Sequence, residues 1–188
     1  MTKVNREMLI EEALDLLDQV GFDAISTRQL ALRLGIEQPS IYWHFRSKAA
    51  LLVAMAEVAM TPHAQAPLPS PTDDWRIWFA DNTRSFRRTL LLRRDGARLH
   101  AGSRPADVDL ARISHKLAFL IASGLSEDVA KMGMLAASRF TVGSVLEEQA
   151  DAGSIGAAPI TNSVAPIDHE LAFEAGLAFI VSGMAEQL

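Results

Sequence analysis

The sequence predicts an all-α protein, and three observations carry that expectation. Apolar residues recur three and four positions apart, as on one face of a helix. Side chains that cap helix N-termini, Asn5 and Ser26, stand just ahead of two of those runs, and the runs stop at Gly21, Gly35 and Pro62. With 188 residues, 49% hydrophobic and 22% charged, the chain can bury a core in one domain or two small ones. We expect a helix-turn-helix domain at residues 1–46 and a helical domain at 47–188.

The first helix follows Asn5, with Ile10, Ala13, Leu14, Leu17 and Val20 on one face and Gly21 as its stop. A second begins near Thr27, where Ser26 and Gln29 fit a capping box, and runs through Leu30, Ala31 and Leu34 to Gly35. After the turn Gly35-Ile36-Glu37, Pro39 at the first helical position opens a third, about Gln38 to His44. Ala31 is small where two helices would cross, and Leu30, Leu34, Ile36 and Ile41 supply the apolar contacts of a helix-turn-helix.

The third helix is the unusual one. Apart from Ile41 it spends its residues on Gln, Ser, Tyr, Trp and His, and it is too short to be stable as a packing element. Gln38 can bond bidentately to adenine, Ser40 and Tyr42 can contact phosphate or a thymine methyl, and His44 and Lys48 can reach phosphates. Of Trp43 and Phe45, one is expected to pack back into the small domain. Between residues 24 and 50, four basic residues face one acidic residue, a local +3 within a chain of net charge −5. That balance suits a site-specific reader of nucleic acid better than a general coat.

The rest reads as a second helical domain. A helix from about Ser47 to Met60 packs through Leu51, Leu52, Met55 and Val58 before Pro62 stops it, and residues 62–72, with four prolines, read as a loop. Trp75, Trp78 and Phe79 open another helix to about Arg93. In the cluster Arg84, Arg87, Arg88, Arg93, Arg94, Arg98 and Arg104 no aromatic residues interleave usefully with the arginines, so a solvated, salt-bridged face is favoured over a second nucleic-acid contact. Two long helices, about Glu127–Gln149 and Asp168–Leu188, complete the set. Gly176 and Gly183, seven apart on the last, allow close approach of another helix.

Several functions are excluded or disfavoured. Zero cysteines leave any metal to His and carboxylates. No G-x-S-x-G, H-E-x-x-H, Walker A or G-x-G-x-x-G segment is present, so an enzyme is not expected. No stretch approaches eighteen uninterrupted apolar residues, and MTKVNREML lacks the apolar core of a signal peptide, so a cytoplasmic protein without a membrane partner is expected. A ligand-independent architectural DNA binder remains the rival reading. It fits poorly with so large an apolar second domain.

The stretch STRQLALRLGIEQPSIYWHFRSKAALL resembles the DNA-binding domain of the TetR family of bacterial repressors, and SFRRTLLLRRDGARLHAGSRP and SRFTVGSVLEEQ resemble its tetracycline-responsive members. The resemblance implies a homodimeric repressor of double-stranded, palindromic operator DNA, released by a small-molecule inducer. It places Gln38, Pro39, Ser40, Tyr42 and Trp43 in the major groove, with Thr27, Arg28, His44 and Lys48 positioning the domain. It implies that the last two long helices form the dimer interface. It also implies ligand contacts from Asn82, Phe86, His100, Ser103, Arg104, Pro105, Lys116 and Glu147, with His100 and Glu147 on a Mg2+ carried by the ligand chelate; no other cofactor is required. Three departures point away from a classical tetracycline: Ala64 where a polar histidine stands, Lys116 where a glutamine stands, and the linker AGSIGAAPITNSVAP in place of a longer closing loop.

Overall fold

A computed structural model describes residues 4–101, 107–153 and 167–188. Among these residues the chain is helical, with no strand, as its sequence predicts. The helices are α1 (Arg6–Val20), α2 (Thr27–Leu34), α3 (Gln38–Tyr42), α4 (Lys48–Ala59), α5 (Thr61–Ala64), α6 (Trp75–Leu91), α7 (Gly96–Ala101), α8 (Asp107–Ala122), α9 (Glu127–Gly153) and α10 (His169–Ala185). They belong to two compact units. One comprises Met1–Ala64 with Thr89–Ala106, the other Gln65–Arg88 with Asp107–Leu188. By packing, α4 therefore goes with the first unit, together with α5 and α7.

The first unit is built on the periodicity seen in α1. Leu9, Leu14 and Leu17 are fully buried with Leu30, Ile41, Met55 and, from α7, Leu99. Caps set where each helix starts. Asn5 accepts from the Met8 amide at 2.8 Å, Ser26 from Gln29 at 3.2 Å and Ser47 from Ala50 at 3.1 Å. The Ser26 hydroxyl also donates to Gln29 Oε1 at 2.9 Å, so the capping pair closes through the hydroxyl. Gly35 takes the left-handed conformation (φ 62°, ψ 34°), and the Ile36 amide turns back to the Ala31 carbonyl at 3.0 Å, closing α2 and directing the chain into α3.

Three details of this unit depart from the sequence reading. Helix α3 ends at Tyr42, and His44 and Phe45 turn off it by amide bonds to the Ile41 carbonyl at 3.0 and 2.9 Å. Pro39 is the second helical residue, which costs nothing because the amides of the whole first turn lack helical partners. Pro62 does not end helical structure either: it sits in the first turn of α5, inside what reads as loop.

In the second unit α8, α9 and α10 pack around Trp75, Phe79, Phe119, Leu120, Phe173 and Leu177. Glycines set how closely α9 and α10 approach. A Cβ on Gly176 would come within 2.3 Å of the Phe140 ring, and one on Gly133 within 2.5 Å of the Met184 sulfur. Phe140 in turn stacks on Phe173, with ring centroids 5.4 Å apart. Gly143 and Gly183 differ: a Cβ on either would meet nothing within 4 Å. Gly176 thus serves packing within the chain, while Gly183 lies on an open face.

The arginines are used largely as the composition suggests. Arg87, buried, pairs with Glu148 at 2.8 Å and with Glu170, and lies 4.8 Å over the Phe173 ring. Arg84 holds Glu174 by two bonds of 2.8 and 2.6 Å. In the first unit Arg93 pairs with Asp18 at 2.6 Å, Arg98 holds Asp23 at 2.7 and 2.9 Å, and Arg94 donates to the Gln19 carbonyl at 2.9 Å. Arg88 is exposed and Arg104 lies outside the described residues.

Candidate DNA interface and ligand-binding residues

Helix α3 buries one residue, Ile41. Pro39, Tyr42, Trp43 and His44 are exposed, and Gln38 and Ser40 are half-buried. Trp43 and Phe45 divide as the sequence requires of one of them: Trp43 is 88% exposed, whereas Phe45 is 3% exposed, inside the core and beneath the Arg6 guanidinium at 5.1 Å. Burying Phe45 anchors the turn after α3. That leaves Trp43 on the outside.

Two of these side chains are held by α2. Thr27, only 7% exposed, accepts a bond from Gln38 Nε2 at 2.9 Å and lies 3.4 Å from the Tyr42 hydroxyl. Periodicity does not reveal this link, since the partners are eleven and fifteen residues apart. Among the cations, Arg28, Arg46 and Lys48 are exposed. Arg33 is not available in the same way, because it ties α2 to α1 through Glu12 at 2.5 Å and Gln19 at 2.6 Å. The positive charge left for phosphates is therefore that of Arg28, Arg46 and Lys48.

The residues matched to a ligand site fall in both units. His100, half-buried on α7, lines a shallow cleft with Ala56 and Met60 at the end of α4, Leu90, Arg93 and Leu99. In the second unit, Asn82 is half-buried and Phe86 buried, one helical turn apart on α6. Lys116 on α8 is 7% exposed and already interacts with its neighbours; Glu147 on α9 is exposed. Ser103, Arg104 and Pro105, and most of the linker expected to replace a lid, lie outside the described residues.

The donor set constrains any metal. His100 and Glu147 offer one imidazole nitrogen and one carboxylate, and among the described residues no group of three or more His, Asp or Glu is arranged to hold an ion. Magnesium takes six mostly oxygen ligands, so it fits this pair only if a bound chelator and water supply the remainder. No helix among the described residues is long and apolar enough to cross a membrane.

Family models match both parts of the chain: bacterial regulatory proteins of the tetR family over residues 9–55, and the tetracyclin repressor-like C-terminal domain over residues 67–159. The chain belongs to the TetR family. It is 45% identical to the class A tetracycline repressor protein from transposon 1721 of Escherichia coli, over all of this chain and 93% of that protein. Among solved structures, a TetR-family transcriptional regulator from Streptomyces coelicolor is 62% identical, covering 97% of this chain and 98% of that one, with a TM-score of 0.76. A class A TetR in complex with 5a,6-anhydrotetracycline and magnesium is 43% identical, covering 96% of this chain and 97% of that one, with a TM-score of 0.82. This TetR-family chain is a ligand-responsive, DNA-binding transcriptional repressor, and its relatives are regulators rather than enzymes.

Proposed function

We propose that the protein represses transcription in the cytoplasm as a homodimer on a palindromic operator and is released when a small molecule binds. It carries out no catalysis. The observation that carries the DNA-reading half is α3 itself. Its five residues bury Ile41 alone and direct the rest of their chemistry outward, beside exposed Arg28, Arg46 and Lys48. Gln38 reads a base edge, Pro39, Ser40, Tyr42 and Trp43 contact bases and thymine methyls in the major groove, and Thr27, Arg28, His44 and Lys48 set the register on the backbone. In function, residues 1–46 are the reading head, and residues 47–188 bind ligand and pair the subunits.

Pairing is supported by the outer face of the last two helices. Met132, Leu135 and Leu146 on α9 and Leu171 and Phe179 on α10 are exposed, Phe179 at 76%, and the same helices carry the open glycines Gly143 and Gly183. Bulky apolar side chains beside glycines suit a helix-on-helix contact with a second copy. Two reading heads related by that pairing require a two-fold symmetric operator with fixed half-site spacing.

Release is supported by the cleft at His100, whose other wall is the end of α4, the helix that follows the reading head. A ligand touching α7 there shifts the separation of the two recognition helices. It can do so only through differential affinity, about 5.5 kcal/mol to take the population from 1:99 to 99:1. The ligand class is a metal-chelating, oxygen-rich, partly aromatic compound held by Asn82, Phe86, His100, Ser103, Arg104, Pro105 and Glu147, with Mg2+ part of the chelate. Buried Lys116 favours an anionic or acceptor group at the far end, and Ala64 cannot bond a drug hydroxyl. Each polar partner lost costs about 1–3 kcal/mol, so a classical tetracycline is a weak ligand.

The test is titration with tetracycline and magnesium, followed by drug fluorescence and then by release of operator DNA. Weak binding is expected, together with tighter binding of a chelator carrying an acidic group and loss of that response in His100→Ala and Glu147→Ala. Nanomolar, magnesium-dependent tetracycline binding would contradict the ligand assignment. Operator binding that no chelator alters would contradict the inducer altogether.

A further inference from the structure

The bond from Gln38 to Thr27 has a consequence for base selection. A free glutamine amide offers one oxygen acceptor and two N–H donors, and it can meet either purine in the major groove. Against adenine it pairs its oxygen with the N6 amino group and one N–H with N7. Against guanine, whose N7 and O6 are both acceptors, it must turn so that both N–H groups point at the base. Here one of those N–H groups is already given to Thr27 Oγ1 at 2.9 Å.

We propose that Thr27 is a specificity-determining positioning residue: by taking one amide proton of Gln38 it leaves a single donor beside a single acceptor, and so makes Gln38 select adenine against guanine. Thr27 is suited to the task because it is nearly buried at the start of α2, a helix fixed by its cap and by Leu30 and Ala31 in the core. Its hydroxyl has two lone pairs and one proton. One lone pair receives Gln38, and the rest faces the Tyr42 hydroxyl at 3.4 Å, so a single buried oxygen meets the polar tips of both Gln38 and Tyr42. Valine has the same shape and cannot accept. Serine keeps the oxygen.

This inference rests on the reading of α3 as the DNA-contacting helix, and its test separates the two. The probe is a duplex selected by the wild-type full-length protein from a randomised pool, with each base pair then substituted in turn. The pair read by Gln38 is the one whose preference disappears in Gln38→Ala. At that pair the wild type should prefer A over G by about tenfold or more. Thr27→Val should reduce the ratio severalfold while leaving preferences elsewhere intact, and Thr27→Ser should restore it. An unchanged A-to-G ratio in a folded Thr27→Val would leave Thr27 only its part in setting the register on the backbone and overturn the proposal. So would failure of Thr27→Ser to restore the ratio.

Two further outcomes are distinguishable. If Gln38→Ala changes no position while the wild type still selects a sequence, the proposal falls and the DNA-reading assignment stands. If the wild type selects nothing, both fall. Should Thr27→Val not fold, the carboxamide protons of Gln38 in the wild-type protein, assigned by their loss in Gln38→Ala, decide the matter by NMR. One proton displaced from its free-glutamine shift and protected from exchange supports the bond, and both protons at free-glutamine shifts with free-glutamine exchange rates exclude it.

Discussion

Helix α3 and the outer face of α9 and α10 both leave large side chains in water, and they differ in what surrounds those side chains. At α3 and the turn after it, Tyr42 and Trp43 are set among Gln38, Ser40 and His44, with cations close by in sequence and a polar link to Thr27. On α9 and α10, Leu135, Leu146, Leu171 and Phe179 share their helices with Gly143 and Gly183, where a Cβ would meet nothing. Aromatic groups with polar tips among cations match a nucleic acid, which offers both phosphates and base edges. Bare aliphatic groups beside glycines match another helix. Gly133 and Gly176 complete the contrast, since those positions are filled by Met184 and Phe140 of the same chain.

Substitutions on these three surfaces should therefore damage three different properties. The largest loss of stability belongs inside the second unit: Arg87→Ala removes the partner of Glu148 and Glu170 and the stack on Phe173, at about 3 kcal/mol in urea unfolding. A loss below about 1 kcal/mol would mean the buried guanidinium does not tie α6 to α9 and α10. Next, Gly176→Val should cost about 1–3 kcal/mol by overpacking against Phe140. Gly183→Val should leave monomer stability within about 1 kcal/mol, yet raise the dissociation constant of the dimer in sedimentation experiments. If both glycine variants behave alike, the distinction between a filled and an open position along α10 is wrong.

At α3 and the start of α4, folding should be untouched and recognition altered. Gln38→Ala should cost about 1–3 kcal/mol at one operator position, whereas Lys48→Ala should weaken all sequences alike and shallow the salt dependence by about one phosphate's worth. The smallest effect is electrostatic. Bonding to Arg84 holds the Glu174 carboxyl below its usual range, so its contribution is present above the ordinary glutamate pKa of about 4.3 and is lost as pH falls through the lowered folded value. Because Arg84 and Glu174 are each about one-third exposed, less than about 1 kcal/mol is at stake. Glu174→Gln should flatten that part of the acid unfolding curve; an unchanged curve would remove the pair from the account.

How much of this was legible in the sequence follows the strength of local signals. The starts of α1, α2 and α4 are written in Asn5, Ser26 and Ser47, and Gly35 marks the turn, because caps and left-handed turns depend on single residues. Pro62 conceals helix α5, because proline reads as a stop in the sequence although it is harmless in a first turn. Helices α7 and α8 were not anticipated: α7 is six residues long, too short for a period, while Leu110, Ile113, Leu117 and Leu120 carried a usable signal for α8. The choice between Trp43 and Phe45 needed the core to be built, since both follow the same polar helix. The link from Thr27 to Gln38 is tertiary and has no sequence period. Ligand residues were legible only through family resemblance, because His100 or Glu147 alone reads as an ordinary polar side chain.

The contrast between a DNA-reading face and a subunit-pairing face is tested most directly by one set of affinities. The full-length protein is titrated, at about 0.15 M salt, against its selected palindrome, the isolated half-site and a scrambled duplex of equal length. The account predicts that the palindrome binds about a thousandfold or more above the scrambled duplex, and that Gly183→Val lowers this advantage toward the half-site value without changing the fold. Equal affinity for all three duplexes would contradict it.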